Sequence, residues 1–69
     1  MGKFKQFLKE KRIRKSRMSG GSSVEIHFIP NEEYGDYTVR IYNRGKKTHD
    51  EPFFKLEDAE ARYRELEKM

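Results

Sequence analysis

The chain has 69 residues, of which 33% are hydrophobic and 41% charged, and a formal net charge of +4. That suffices for one small domain and excludes a multidomain enzyme or a large enclosed substrate chamber. There is no cysteine, which excludes disulfides and thiolate metal sites, and no apolar run approaches the roughly 18 residues of a membrane span.

Charge divides the chain. Residues 1–22 hold eight Lys or Arg against Glu10 alone, whereas residues 23–69 hold eight against eleven acids. A cationic leader on a mildly acidic body points to phosphate, an acidic protein face or an anionic lipid surface as its target. Phe4, Phe7 and Leu8 are interrupted by lysines, so no secretory leader is read and cytoplasm is the expected location.

Residues 3–17 lack Gly and Pro and are rich in Lys, Arg, Gln and Glu. They predict a short amphipathic helix carrying Phe4, Phe7 and Leu8 and fraying into a basic tail, only marginally stable alone. Ser19-Gly20-Gly21-Ser22-Ser23 has linker composition. The predicted organisation is a basic arm with its Ser/Gly linker over residues 1–22 and a βββα domain over residues 23–69.

Val24 to Ile29 alternates up to Pro30 and predicts a strand with Val24, Ile26 and Phe28 inward and Glu25, His27 and Ile29 outward. Tyr37 to Tyr42 predicts a second, with Tyr37, Val39 and Ile41 inward and Thr38, Arg40 and Tyr42 outward. Asn43 to Lys46 reads as a hairpin turn with Gly45 at positive φ. A third strand, about Lys47 to Phe53, carries Pro52 and so belongs at a sheet edge or leaves the sheet there. Two turn lengths leave open whether Lys47 and His49 or Thr48 and Asp50 face the core.

Leu56 to Lys68 predicts a helix with Leu56, Ala59, Tyr63 and Leu66 on one face. Glu57 and Asp58 suit its positive end, Asp58–Arg62 and Glu60–Arg64 are spaced for ion pairs, and Lys55 makes a poor N-cap. The expected fold class is α+β: a three-stranded antiparallel sheet packed on a C-terminal helix, with a basic, partly helical N-terminal arm. The core is then the inward sheet residues against the helix stripe plus Phe53 or Phe54. So small a core leaves room for docking of the N-terminal helix, a partner or homodimerisation.

The stretch Gly35-Asp36-Tyr37-Thr38-Val39-Arg40-Ile41-Tyr42, followed by Gly45-Lys46-Lys47 and by Phe54-Lys55-Leu56-Glu57-Asp58-Ala59-Glu60, resembles the βββα arm-type DNA-binding module of tyrosine integrases. That module is similar in turn to the plant AP2 domain. The resemblance implies a three-stranded sheet whose exposed face enters the DNA major groove, with Arg40 and Tyr42 on the reading face and His27 beside them. Asp50 and Glu51 depart from the basic character such a reading strand would have, and no recombinase catalytic domain follows. The element order is also similar to that of a double-stranded-RNA-binding domain. Glu57-Asp58 stand, however, where that family places lysines at the start of its last helix.

The candidate binding residues are Lys9, Lys11, Arg12, Arg14, Lys15 and Arg17 in the arm, with His27, Arg40, Tyr42 and Arg44 on the domain. Cations in such density suit phosphates, and arginine suits guanine. His27 and His49 lack companions at metal-ligand spacing, Ser22 and Ser23 lie in the linker away from any base, and no Gly-rich phosphate loop precedes a helix. The expected function is therefore a non-catalytic nucleic-acid-binding protein without cofactors, with DNA ahead of RNA or with a nucleoprotein complex as partner. The alternative is a protein-binding module or phage-type inhibitor of a larger nucleic-acid-handling machine, anchored by Phe54, Tyr42 and Ile29.

Overall fold

The computed structural model describes residues 10–30 and 33–68. Its elements are β1 (Lys11–Arg17), β2 (Ser22–Phe28), β3 (Tyr37–Asn43), β4 (Lys46–Phe53) and the helix α1 (Leu56–Glu67), with one 3₁₀ turn at Ser19–Gly21 between β1 and β2. The four strands form one antiparallel sheet in the order β1-β2-β3-β4. The α+β class and the C-terminal helix on an antiparallel sheet agree with the sequence.

The sheet has four strands where the sequence suggests three. The difference is residues 11–17, which pair with β2 instead of forming a helix. Their helix propensity is a weak local preference. Beside an exposed strand these residues gain a ladder of backbone hydrogen bonds, interrupted only at Ile13, and that tertiary gain prevails. Residues 1–9, including Phe4, Phe7 and Leu8 of the predicted helix, lie outside the described residues.

Ser19–Ser23 correspondingly joins two paired strands, and the expected boundary after residue 22 falls inside β2. Gly20 and Gly21 take φ of 77° and 79°, and the Met18 amide donates to the Ser22 carbonyl at 2.8 Å. The composition that resembles a linker here supplies left-handed backbone for a tight reversal.

Two strands carry an extra residue. Arg12 opposes His27 and Arg14 opposes Ile26, so Ile13 is bulged between them. Ile41 opposes His49 and Tyr42 opposes Lys47, so Thr48 is bulged in β4. A bulge reverses the facing of everything beyond it. Lys47 therefore stands on the outer face while His49 stands on the helix side, a combination that neither turn length considered from the sequence allows. The β3–β4 turn lies at Asn43–Lys46 as expected and resolves the open turn length as a two-residue loop, with Arg44 at φ 54° and Gly45 at φ 84°, the pair of positive values that matches strand twist. β4 is an edge strand, as Pro52 requires.

The core consists of Val24, Ile26, Val39, Ala59, Tyr63 and Leu66, with Met18, Tyr37, Ile41, Phe53 and Leu56 partly buried against it. Phe53 packs inward while Phe54 stays 68% exposed. Phe28, half-buried, sets its ring 5.6 Å from that of Tyr37. On the helix, Arg62 pairs with Glu51 at 2.9 Å and Glu65 at 3.1 Å, and Glu60 reaches Arg14 at 3.6 Å. Arg62 and Glu60, one member of each predicted pair with Asp58 and Arg64, are thus engaged elsewhere, because β4 and β1 flank the helix and offer opposite charge across the layer.

Candidate nucleic-acid interface

Helix α1 packs on one face of the sheet, and among the described residues no further element covers the other. Register assigns the open face. Glu25 lies between Lys15 and Arg40, His27 between Arg12 and Thr38, and Ser23 between Arg17 and Tyr42. On β4, Asp50 opposes Arg40 and Pro52 opposes Thr38. The predicted outward residues His27, Arg40 and Tyr42 are therefore brought together, and Arg12, Lys15 and Arg17 of β1 join them.

The bulge at Ile13 creates this arrangement. In strict alternation Arg12 would share a face with Arg14, and Ile13 with Lys15 and Arg17. One extra residue moves Arg12 to the side of Lys15 and Arg17, while Arg14 and Ser16 turn to the helix. There the Arg14 guanidinium lies 5.7 Å from the Tyr63 ring centroid and 3.6 Å from Glu60. Lys11, opposite Phe28, also belongs to the helix-side register. Arg14 is the one leader cation paired internally among the described residues. Arg12, Lys15 and Arg17 are exposed and form no ion pair among them. Lys9 lies outside the described residues.

Arg40 differs from the expectation of a free reading side chain. It is 17% exposed, and its Nε lies 3.5 Å from Asp50 Oδ1 and is buried without a hydrogen-bond partner of its own. Its Nη1 donates to the Tyr42 hydroxyl at 3.5 Å. Asp50 also accepts from Thr38 Oγ1 and, at 3.0 Å, from Lys47 Nζ. Burial alone would raise the Asp50 carboxyl. The hydrogen bonds from Thr38 and Lys47 and the charges of Arg40 and Lys47 outweigh it and hold Asp50 below its ordinary value. Arg40 thus sits in a polar network with Asp50 and Tyr42. The Asp50 in β4 that looked unfavourable for nucleic acid is its counter-charge.

Glu25 is buried at 7% exposure, and its Oε1 lies 2.6 Å from His27 Nε2. The His27 ring in turn lies 6.5 Å from that of Tyr42. At the same end of the sheet the two turns meet: the Arg44 amide donates to the Gly21 carbonyl at 2.9 Å, and the Arg44 side chain runs along Gly21. Between turns and strands lies a groove of about 420 Å³, lined by Lys15, Arg17, Ser22, Ser23, Glu25 and Tyr42, with Met18, Gly21 and Gly45 also bordering it.

The groove and the ordered row Arg12, Lys15 and Arg17 are what sequence reading misses. The KRIRKSR segment carries no clear signal for them, because it is as compatible with a helix as with a strand. Among the described residues no group of three or more His, Asp or Glu gathers around a point that could hold a metal ion. Among them also, no helix is long and apolar enough to cross a membrane. No protein-family model, curated protein or solved structure matches the chain.

Proposed function

We propose that this is a small non-catalytic nucleic-acid-binding protein whose basic β1 edge engages phosphates and whose outer sheet face orients the ligand. One observation carries the reading: Arg12, Lys15 and Arg17 project in a row from one sheet edge with no acidic partner among the described residues, whereas Arg14, Arg40, Lys47 and Arg62 each have one. Ion pairs that neutralise Arg14, Arg40, Lys47 and Arg62 and spare the β1 row leave positive potential along that edge. Phosphate contacts of this kind position a nucleic acid without specifying sequence.

The test is fluorescence anisotropy with labelled oligonucleotides over a salt series. The triple variant Arg12→Gln, Lys15→Gln, Arg17→Gln is expected to weaken binding and to flatten the slope of log affinity against log salt by about two to three. Its fold should persist, because the three side chains are exposed. Absence of oligonucleotide binding at low salt, or a slope unchanged in the triple variant, rejects the reading.

A second reading, a protein-binding module or an inhibitor of a nucleic-acid-handling machine, draws on a different surface. Tyr34 and Phe54 are 58% and 68% exposed and both lie next to the close approach of Gly35 to the end of β4. Exposed aromatics anchor protein interfaces. Under that reading Phe54→Ala abolishes capture of a protein partner from nuclease-treated lysate, while the β1 triple variant retains it.

A further inference from the structure

We infer that the groove at the turn end of the open sheet face takes single-stranded nucleic acid, with one base against Tyr42 and its flanking phosphates on Lys15 and Arg17. This inference rests on the nucleic-acid reading above and adds the form of the ligand.

Shape is the first argument. Reading a duplex through its major groove calls for a protruding helix or ribbon that enters a channel about 12 Å wide. The cationic end of this face is instead concave, a hollow of about 420 Å³ between the β1–β2 connection and the β3–β4 turn. That volume is within the range of small-ligand sites and suits one nucleotide unit. A base still stacked and paired inside a double helix cannot enter it.

Chemistry orders the ligand within the hollow. Glu25 lies on its inner side, buried and held by His27 at 2.6 Å. A carboxylate there repels phosphate and accepts N–H donors, such as the exocyclic amino group of a base. Lys15 and Arg17 stand on the β1 side, exposed and without acidic partners among the described residues. Base inward and phosphate outward is the arrangement that satisfies both. Tyr42 is the aromatic surface, half-buried and fixed by Arg40 at its hydroxyl and by the tilted His27 ring beside it. A ring so held is pre-organised, so little conformational entropy is lost on stacking. Ser22 and Ser23 add hydroxyl groups able to bond sugar or phosphate.

The experiment compares a mixed-sequence single-stranded RNA, the matching single-stranded DNA and the matching duplexes, each about twelve nucleotides long, in anisotropy titrations at one salt concentration. The single strands are expected to bind at least about ten-fold tighter than the duplexes. Tyr42→Ala should lose about ten-fold or more on single strands, while Tyr42→Phe keeps most of the affinity. Circular dichroism melts accompany each variant. Photocrosslinking of wild-type protein to a 4-thiouridine oligonucleotide, mapped by mass spectrometry, gives a readout independent of any variant's folding, with adducts expected at Tyr42 or its tryptic peptide. Duplex binding as tight as single-strand binding, a folded Tyr42→Ala variant with wild-type affinity, or adducts confined to other peptides overturns the inference and leaves the broader reading standing. Failure of the wild type to bind any of the four ligands removes both.

Discussion

Ser16 on β1 and Tyr63 on α1, 47 positions apart in the chain, are hydrogen-bonded side chain to side chain. Ser16 also donates to Glu67 Oε2 at 2.6 Å. A serine hydroxyl has one proton and the carboxylate only accepts, so the Tyr63 hydroxyl is the donor to Ser16. This chain of two hydrogen bonds ties the edge strand to the helix across the layer, and it exists because the bulge at Ile13 sends Ser16 to the helix side. The basic segment is therefore a strand docked at both its backbone and its inner face, with Arg12, Lys15 and Arg17 left outward.

Removing that tie should loosen β1 before the rest of the molecule. Tyr63→Phe keeps the buried ring and loses the hydrogen bond, at an expected cost of about 1 kcal/mol, and Ser16→Ala should cost a similar amount. Because the two residues share the bond, the double variant should be less destabilised than the sum of the singles. Denaturant melts measure the cycle. Hydrogen exchange should show faster exchange of β1 amides in both variants with β3 unchanged.

Gly35 should tolerate no side chain. Its φ is 115°, and a Cβ there would lie 2.3 Å from the backbone carbon and oxygen of Phe53. Both the torsion and the clash involve backbone, which has no flexible end to move. Gly35→Ala is expected to destabilise by about 3 kcal/mol or more, read as a lowered unfolding midpoint. A midpoint equal to wild type would contradict the approach of the β2–β3 loop to the end of β4.

Two positions should gain stability. Arg44 sits at φ 54°, where a long side chain is strained and asparagine is not, so Arg44→Asn should raise stability by about 0.5–1 kcal/mol. Lys55 holds the N-cap position of α1 with extended backbone and no side-chain cap, so Lys55→Ser should contribute a similar amount. The sites are independent, and thermal melts of the pair should show near-additive shifts. Because Arg44 borders the groove through Gly21, its variant also reports whether stability and oligonucleotide affinity separate.

Acid should unfold the protein through β4. The Arg62 hydrogen bond, opposed by partial burial and assisted by His49, holds the Glu51 carboxyl below its ordinary 4.5, and Asp50 lies below its ordinary 3.8. A carboxylate lowered in the folded state contributes stability that is complete above its unfolded value and is lost as pH falls through the folded one. The melting temperature should therefore fall as pH drops from roughly 5 to 3, and Glu51→Gln should flatten that decline. An equally steep decline in Glu51→Gln would show that the Arg62 pairing is not coupled to folding.

Much of the architecture is legible locally. The period-two alternation of Val24-Ile26-Phe28 and of Tyr37-Val39-Ile41 specifies two strands and their buried side. The Arg44-Gly45 turn specifies the hairpin, Pro52 an edge, and Leu56-Ala59-Tyr63-Leu66 the helix stripe. Each pattern is set within a few residues by steric preference and by one apolar face, so neighbours in sequence carry enough information.

Residues 11–17 carry no such pattern, since five Lys or Arg, one Ile and one Ser suit a helix, a strand or solvent alike. Their conformation was decided by β2, whose backbone groups need a partner, and their facing by a single bulged residue that local propensity does not register. The same holds for Thr48 and the side taken by Lys47 and His49. Composition determined that the chain carries a dense positive segment. Tertiary pairing determined that three of those charges line one open edge while Arg14 turns inward, because register is a property of two strands together and of neither alone.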